Sequence, residues 1–187
     1  MSGKDTVGMR LAEDLQAKFL SSGIIIRAYE AEQNEDMTGS GKLIPTNTFY
    51  DIILPYFSRE EMKNDSLILS SVGRWAGEED KIMEAARAGG HEIKAVIMLD
   101  LTEEEVKKRF RVAKELNDRG GRADDANMEV FETRLAIFET RIREFNEKTV
   151  PVLNHYDELK LLIKVPADGS RDEVYLSVID KLVEFIK

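Results

Sequence analysis

The sequence contains no cysteine. Disulfide frameworks, thiolate-bound zinc, iron–sulfur clusters and thiol catalysis are therefore excluded together. Histidine is almost as scarce: His91 and His155 stand far apart in the chain and read as structural or exposed residues rather than as a metal pair. No apolar run approaches the roughly 18 residues of a membrane span, and no charged segment at the start leads into a signal-like apolar core. There are four prolines and no Pro/Ser-rich linker, low-complexity tract or internal repeat, so the 187 residues read as one domain, 1–187. Positive charge is in deficit, with 27 Lys and Arg against 36 Asp and Glu and a net charge of −9. That balance argues against a general nucleic-acid binder held by counterion release, although it leaves room for a local basic pocket. The expectation is a cytoplasmic, monomeric, globular protein, in which 42% hydrophobic residues supply a core and 34% charged residues a soluble surface.

What is present is an alternation of periods. Val7, Leu11, Leu15 and Phe19 recur every four positions and predict a helix over 4–19. Short apolar runs at 67–69, 95–99 and 161–165 have the length and β-branching of strands. Helical patterns separate them, at 78–88, 102 to about 116, 128 to about 148, and 171–186. Strands alternating with helices predict an α/β fold with a parallel central sheet. Thr102 with Glu105 forms a capping-box pattern, supported by the pairs Glu103/Lys107 and Glu104/Lys108. Across 128–148, Phe131, Leu135, Phe138, Ile142 and Phe145 alternate steps of four and three. Two heptads fall short of the three or four of a coiled coil, so an amphipathic helix lying on the sheet is expected.

Ser2-Gly3-Lys4-Asp5-Thr6, running directly into a helix, matches the closing half of a phosphate-binding loop. In such a loop backbone N–H groups and the helix N-terminus hold phosphates, Lys reaches the β/γ oxygens and a hydroxyl ligates Mg²⁺. Asp5 occupies a position usually given to a small residue. A second match, Gly39-Ser40-Gly41-Lys42, has no strand before it, Leu43 after it and Pro45 close behind, and reads as a loop.

Further segments fall in an order that resembles the adenylate kinase, or nucleoside monophosphate kinase, family. Ser21-Ser22-Gly23-Ile24-Ile25-Ile26-Arg27 is similar to that family's Ser-Thr-Gly-Asp-Leu-Leu-Arg. Gly41-Lys42-Leu43-Ile44-Pro45 is similar to Gly-Glu/Lys-Leu-Val-Pro. Ser70-Ser71-Val72-Gly73-Arg74, with Glu78, stands for Asp-Gly-Phe-Pro-Arg and Gln. Gly121-Arg122-Ala123-Asp124-Asp125, then Arg134-Leu135, resembles Gly-Arg-x-Asp-Asp and Arg-Leu, and 149–156 resembles Thr-x-Pro-Leu-Ile-x-Tyr-Tyr. The resemblance implies a three-layer P-loop NTPase-type α/β fold with strand order 2-3-1-4-5. Strand 1 and the first half of the phosphate loop would precede Ser2 and are expected to be missing from the sequence as given. It implies an NMP-binding segment over 22–60 and a short lid over 111–124.

The resemblance further implies transfer of the γ-phosphoryl group of ATP to a nucleoside monophosphate, AMP first, with CMP and GMP as alternatives. Its partners would be these small nucleotides, and its cofactors ATP and Mg²⁺. Ser2, Gly3, Lys4, Asp5, Thr6 and Arg171 would hold ATP, with Thr6 on the metal. Ser22, Gly23, Arg27, Lys42, Leu43, Ile44, Arg74 and Glu78 would hold the acceptor. Arg122 and Arg134 would approach both nucleotides and, with Lys4, serve catalysis. Fixed guanidinium charge suits a transferring phosphoryl group, because it binds bidentately and is never lost at neutral pH. Asp124 and Asp125 are expected to cap a helix and pair with arginines. Glu78, in place of a base-reading glutamine, would accept from an amino or N–H edge of adenine, cytosine or guanine and reject uracil; a carboxylate facing solvent at a helix start is the plainer reading. Ser70 and Ile24 stand where the family has aspartates, the first of which organises the metal's water. These departures motivate an alternative, a nucleotide-binding module of the same fold without turnover. A third reading is an acidic helical partner protein using 128–148.

Overall fold

The computed structural model describes residues 2–37, 44–75, 77–109 and 128–187, without the side chains of 128–135. Helix α1 (Lys4–Asp14) is followed by strand β1 (Lys18–Ser21), α2 (Ser22–Gln33) and α3 (Thr46–Ile53). Two short 3₁₀ turns lead into β2 (Leu67–Ser70), α4 (Glu78–Ala88) and β3 (Val96–Asp100), and 103–109 is helical. The chain closes with α5 (Met128–Glu144), a π-turn (Phe145–Thr149), α6 (Val150–Glu158), β4 (Leu162–Pro166) and α7 (Arg171–Ile186).

The helix expected over 4–19 stops early. Gln16 adopts φ 52° and the Ala17 N–H turns back to the Ala12 carbonyl, after which Lys18 N–H joins Ser66 in a ladder. Phe19 is thus a strand residue, and its four-residue spacing from Leu15 is coincidental. The helix over 128–148 runs longer than expected: the π-turn carries it through Thr149, and Pro151 enters at the first turn of α6, where its missing N–H costs nothing. Glu105 N–H donates to Thr102 Oγ1 as the capping pattern predicts, and Lys107 pairs with Glu103, but Lys108 reaches Glu105 rather than Glu104.

All the strand pairs are parallel. β1 pairs with β2, in register Ser21 to Ser70, and β3 pairs with β4, in register Leu99 to Val165. Among the described residues no ladder joins the two pairs. These pairs match the neighbours 2-3 and 4-5 of the expected order 2-3-1-4-5. One core lies beside the first pair and is built on Leu20, Ile26, Phe49, Ile53, Phe57 and Ile82. A smaller one beside the second pair holds Ile163, Val165 and Val178. Helix α1 touches both sides. Val7 packs on the second core, while a Cβ at Gly8 would stand 2.7 Å from the Phe19 ring, so the absent side chain lets α1 lie against β1 and β2. Its N-terminus thereby arrives at the carboxyl ends of the strands, the edge where open α/β sheets bind ligands.

Candidate active site

The residues expected to hold the donor stand at the start of α1. Gly3 sits at φ 82°, a left-handed conformation open to glycine, and α1 begins at the next residue with Val7 N–H on the Gly3 carbonyl. The unpaired N–H groups of this first turn face the same end as the exposed Lys4 and Thr6. Lys4 Nζ lies 3.2 Å from Asp5 Oδ2. The other Asp5 oxygen accepts the Ser70 hydroxyl at the end of β2, in a short hydrogen bond between residues 65 apart in sequence. Burial pushes the Asp5 carboxyl up, but the Ser70 hydroxyl, Lys4 and Arg27 together outweigh it and hold the group below its ordinary value.

The residues expected to hold the acceptor begin where β1 ends. Ser22 is buried and donates through Oγ to the Ser71 carbonyl at 2.6 Å, fixing the start of α2 to the loop after β2. A Cβ at Gly23 would stand 3.2 Å from Arg27 Nη1, so the Arg27 guanidinium folds back over the first turn of its own helix. Its charge reaches Asp5, which joins donor and acceptor sides in one electrostatic field. Ile24 points outward. Ile44, expected in the acceptor site, is buried in the first core against that cluster's aromatic and aliphatic residues.

The loop from Ser71 to Gly77 turns through three left-handed residues, Ser71 at φ 59°, Gly73 at 65° and Gly77 at 92°. Glu78 lies beneath it, 2% exposed, with Oε2 accepting the N–H groups of Arg74 at 2.9 Å and Trp75 at 3.2 Å. A solvent-facing Glu78 is therefore not what the chain forms. Glu79, also buried, accepts from Gly77 N–H at 2.7 Å. On the opposite side of the loop, Thr149 Oγ1 donates to the Arg74 carbonyl at 3.2 Å. Burial lowers the Arg74 guanidinium from its ordinary value, Arg141 lowers it further, and the charges of Glu144 and Glu78 act against both.

Arg141 was missing from the residues expected in the site. It faces Arg74 from α5, on the same helical face as Glu144 and Lys148; Lys148 pairs with Glu144 at 2.6 Å and lies 4.0 Å over the Trp75 ring. A signal was present in the sequence: Arg141-Ile142 and Phe145 repeat Arg134-Leu135 and Phe138 seven residues later. Arg134 belongs to α5, with its side chain outside the described residues, and Arg122, Lys42, Leu43, the Gly39–Lys42 loop and the lid over 111–124 also lie outside them. Arg171 is exposed at the start of α7, whose Asp172 receives Arg10 of α1 at 2.7 Å.

Of the expected donor and acceptor residues that are described, Lys4, Asp5 and Ser22 lie around the ends of β1 and β2, whereas Ile44 lies in the first core and Arg171 at the start of α7. A curated adenylate kinase of Thermus thermophilus is 28% identical over 183 residues, covering 95% of this chain and 89% of its own length. Also similar are UMP-CMP kinase 2 of Oryza sativa, 26% identical over 95% of this chain and 68% of its own length, and a UMP-CMP kinase of Lentinula edodes, 27% identical over 93% and 78%. No family model matches the chain. No three His, Asp or Glu side chains converge as a metal cage among the described residues. No described helix is long and apolar enough to cross a membrane.

Proposed function

We propose that the protein is a nucleoside monophosphate kinase that moves the γ-phosphoryl group of ATP to a monophosphate, AMP first. The observation that supports this most is the Asp5–Ser70 hydrogen bond, which brings the phosphate-binding start of α1 against the loop that carries Arg74. Lys4 and the first N–H groups of α1 receive the donor phosphates, and Arg27 and Arg74 receive the acceptor's phosphate. An acceptor oxygen bonds to the γ-phosphorus as the bond to the β,γ-bridging oxygen breaks, and ADP departs with that oxygen. Negative charge spreads over the moving group, and Arg74 and Arg141, whose like charges act on one another, offset it. Arg122 and Arg134 approach the same group.

Mg²⁺ would neutralise the donor phosphates. The Thr6 hydroxyl and Asp5 carboxylate fit it as hard oxygen donors, with Thr6 exposed beside the cradle. Binding without turnover is the second reading, favoured by the ion pair of Lys4 with Asp5, which must open before Lys4 meets phosphate. ADP formation from ATP·Mg²⁺, measured with AMP, CMP, GMP and UMP in turn, separates the two. Acceptor-dependent ADP is the expected result; nucleotide affinity with no acceptor-dependent ADP leaves the binding module.

A further inference from the structure

We infer that Glu78 is a positioning residue for Arg74, and that the choice of acceptor base is made elsewhere. This rests on the kinase reading of the same site. A carboxylate that reads a base must present free oxygens to a cleft. Glu78 is 2% exposed, and its Oε2 takes two backbone N–H groups from the loop directly above it. Those two donors belong to Arg74 and its neighbour, so the bonds set the direction in which the Arg74 side chain leaves the backbone.

The loop has no secondary structure to hold it there. Its left-handed turns at Ser71, Gly73 and Gly77 leave N–H and carbonyl groups unpaired within the loop, and buried groups of that kind must find partners. Carbonyls are held from outside by hydroxyls, Ser71 by Ser22 and Arg74 by Thr149. N–H groups are held by Glu78 and Glu79. Glu78 alone does both tasks Arg74 requires, because its charge also supports the withdrawn guanidinium against Arg141. Glu79 binds the same loop at Gly77 and serves as an internal control.

Four proteins decide the matter: wild type, Glu78→Gln, Glu79→Gln and Glu78→Asp. With ATP saturating, Glu78→Gln should raise KM about tenfold for AMP, CMP and GMP alike, the scale of weakening a charged hydrogen bond. The order of preference among the bases should be unchanged, and Glu79→Gln should leave KM within about twofold. A change of base preference in Glu78→Gln overturns the inference, as does an equal rise in KM for Glu79→Gln. A second readout needs no activity. Phenylglyoxal modification of Arg74, followed by peptide mass mapping of the unliganded protein, should be several-fold faster in Glu78→Gln than in wild type or Glu79→Gln. Glu78→Asp, which keeps the charge with a shorter reach, should fall between. Equal modification rates in all four proteins overturn the positioning role. Wild type that turns over no monophosphate defeats the kinase reading, while the modification rates still decide the role of Glu78.

Discussion

Asp5 and Ser70 each depart from the family pattern, and in the sequence they are two unrelated oddities. In the structure they are a single hydrogen bond: a carboxylate absent from the end of β2 is present on α1, and a hydroxyl stands where it is missing. No spacing rule links positions 65 apart, so only the folded chain reveals the pair. Ser70→Ala should cost about 1–2 kcal/mol in denaturant unfolding, the worth of a partly buried hydrogen bond to a charged group, and should weaken ATP binding measured by calorimetry. The arginines divide similarly. Arg27 and Arg74 were picked out by their motifs, whereas Arg141, whose charge acts on Arg74, was hidden by the heptad echo that drew attention to Arg134. Arg74→Ala and Arg141→Ala should each raise the acceptor KM by at least about tenfold. Because the two share one anion, the double variant should lose less than the sum, and a kinetic double-mutant cycle measures that coupling.

Elements were legible where one physical cause dominated. α4 and α7 run over the residues their apolar periods indicate, Glu78–Ala88 and Arg171–Ile186, because each packs one face on a core. For α7 the start is a reciprocal cap, Ser170 Oγ accepting Glu173 N–H while Glu173 Oε2 accepts Ser170 N–H. Ser170→Ala should lower stability by about 1 kcal/mol in thermal or chemical unfolding. β1 was not legible. Its four residues, Lys18–Ser21, contain only two strong apolar side chains, and they continued the helical period of α1. The decision between helix and strand was made by β2, whose Ser66 carbonyl takes the Lys18 N–H, a tertiary effect that local pattern does not carry. The loop before α4 was equally opaque, since its shape depends on carboxylates and hydroxyls from three different elements.

At the scale of the molecule, two tyrosines tie helices together across the cores. Tyr156 of α6 lies buried and is pushed up to about 12, by burial first and then by the charges of Glu79 and Asp80 on α4. Tyr175 of α7 is likewise pushed up to about 12, by burial and then by its hydrogen bond to Asp14, adjoining the helix that bridges both strand pairs. A phenol whose folded value exceeds its unfolded value contributes stability that is complete below about pH 10 and lost as pH rises through about 12. Unfolding free energy should therefore fall between pH 10 and 12, and Tyr156→Phe should flatten that fall, as denaturant melts at stepped pH would record.

The parallel pairing carries a further consequence, for the order in which the chain assembles. Lys18 must find Leu67, and Val96 must find Leu162, across long intervening stretches that close no ladder of their own among the described residues. The cost of closing such loops comes before the contacts that repay it, so the rate of folding should be set by these two encounters rather than by any helix. Helix α1 bridges both pairs, and a chain whose α1 is weakened should reach each half-sheet at nearly its normal speed yet join them late.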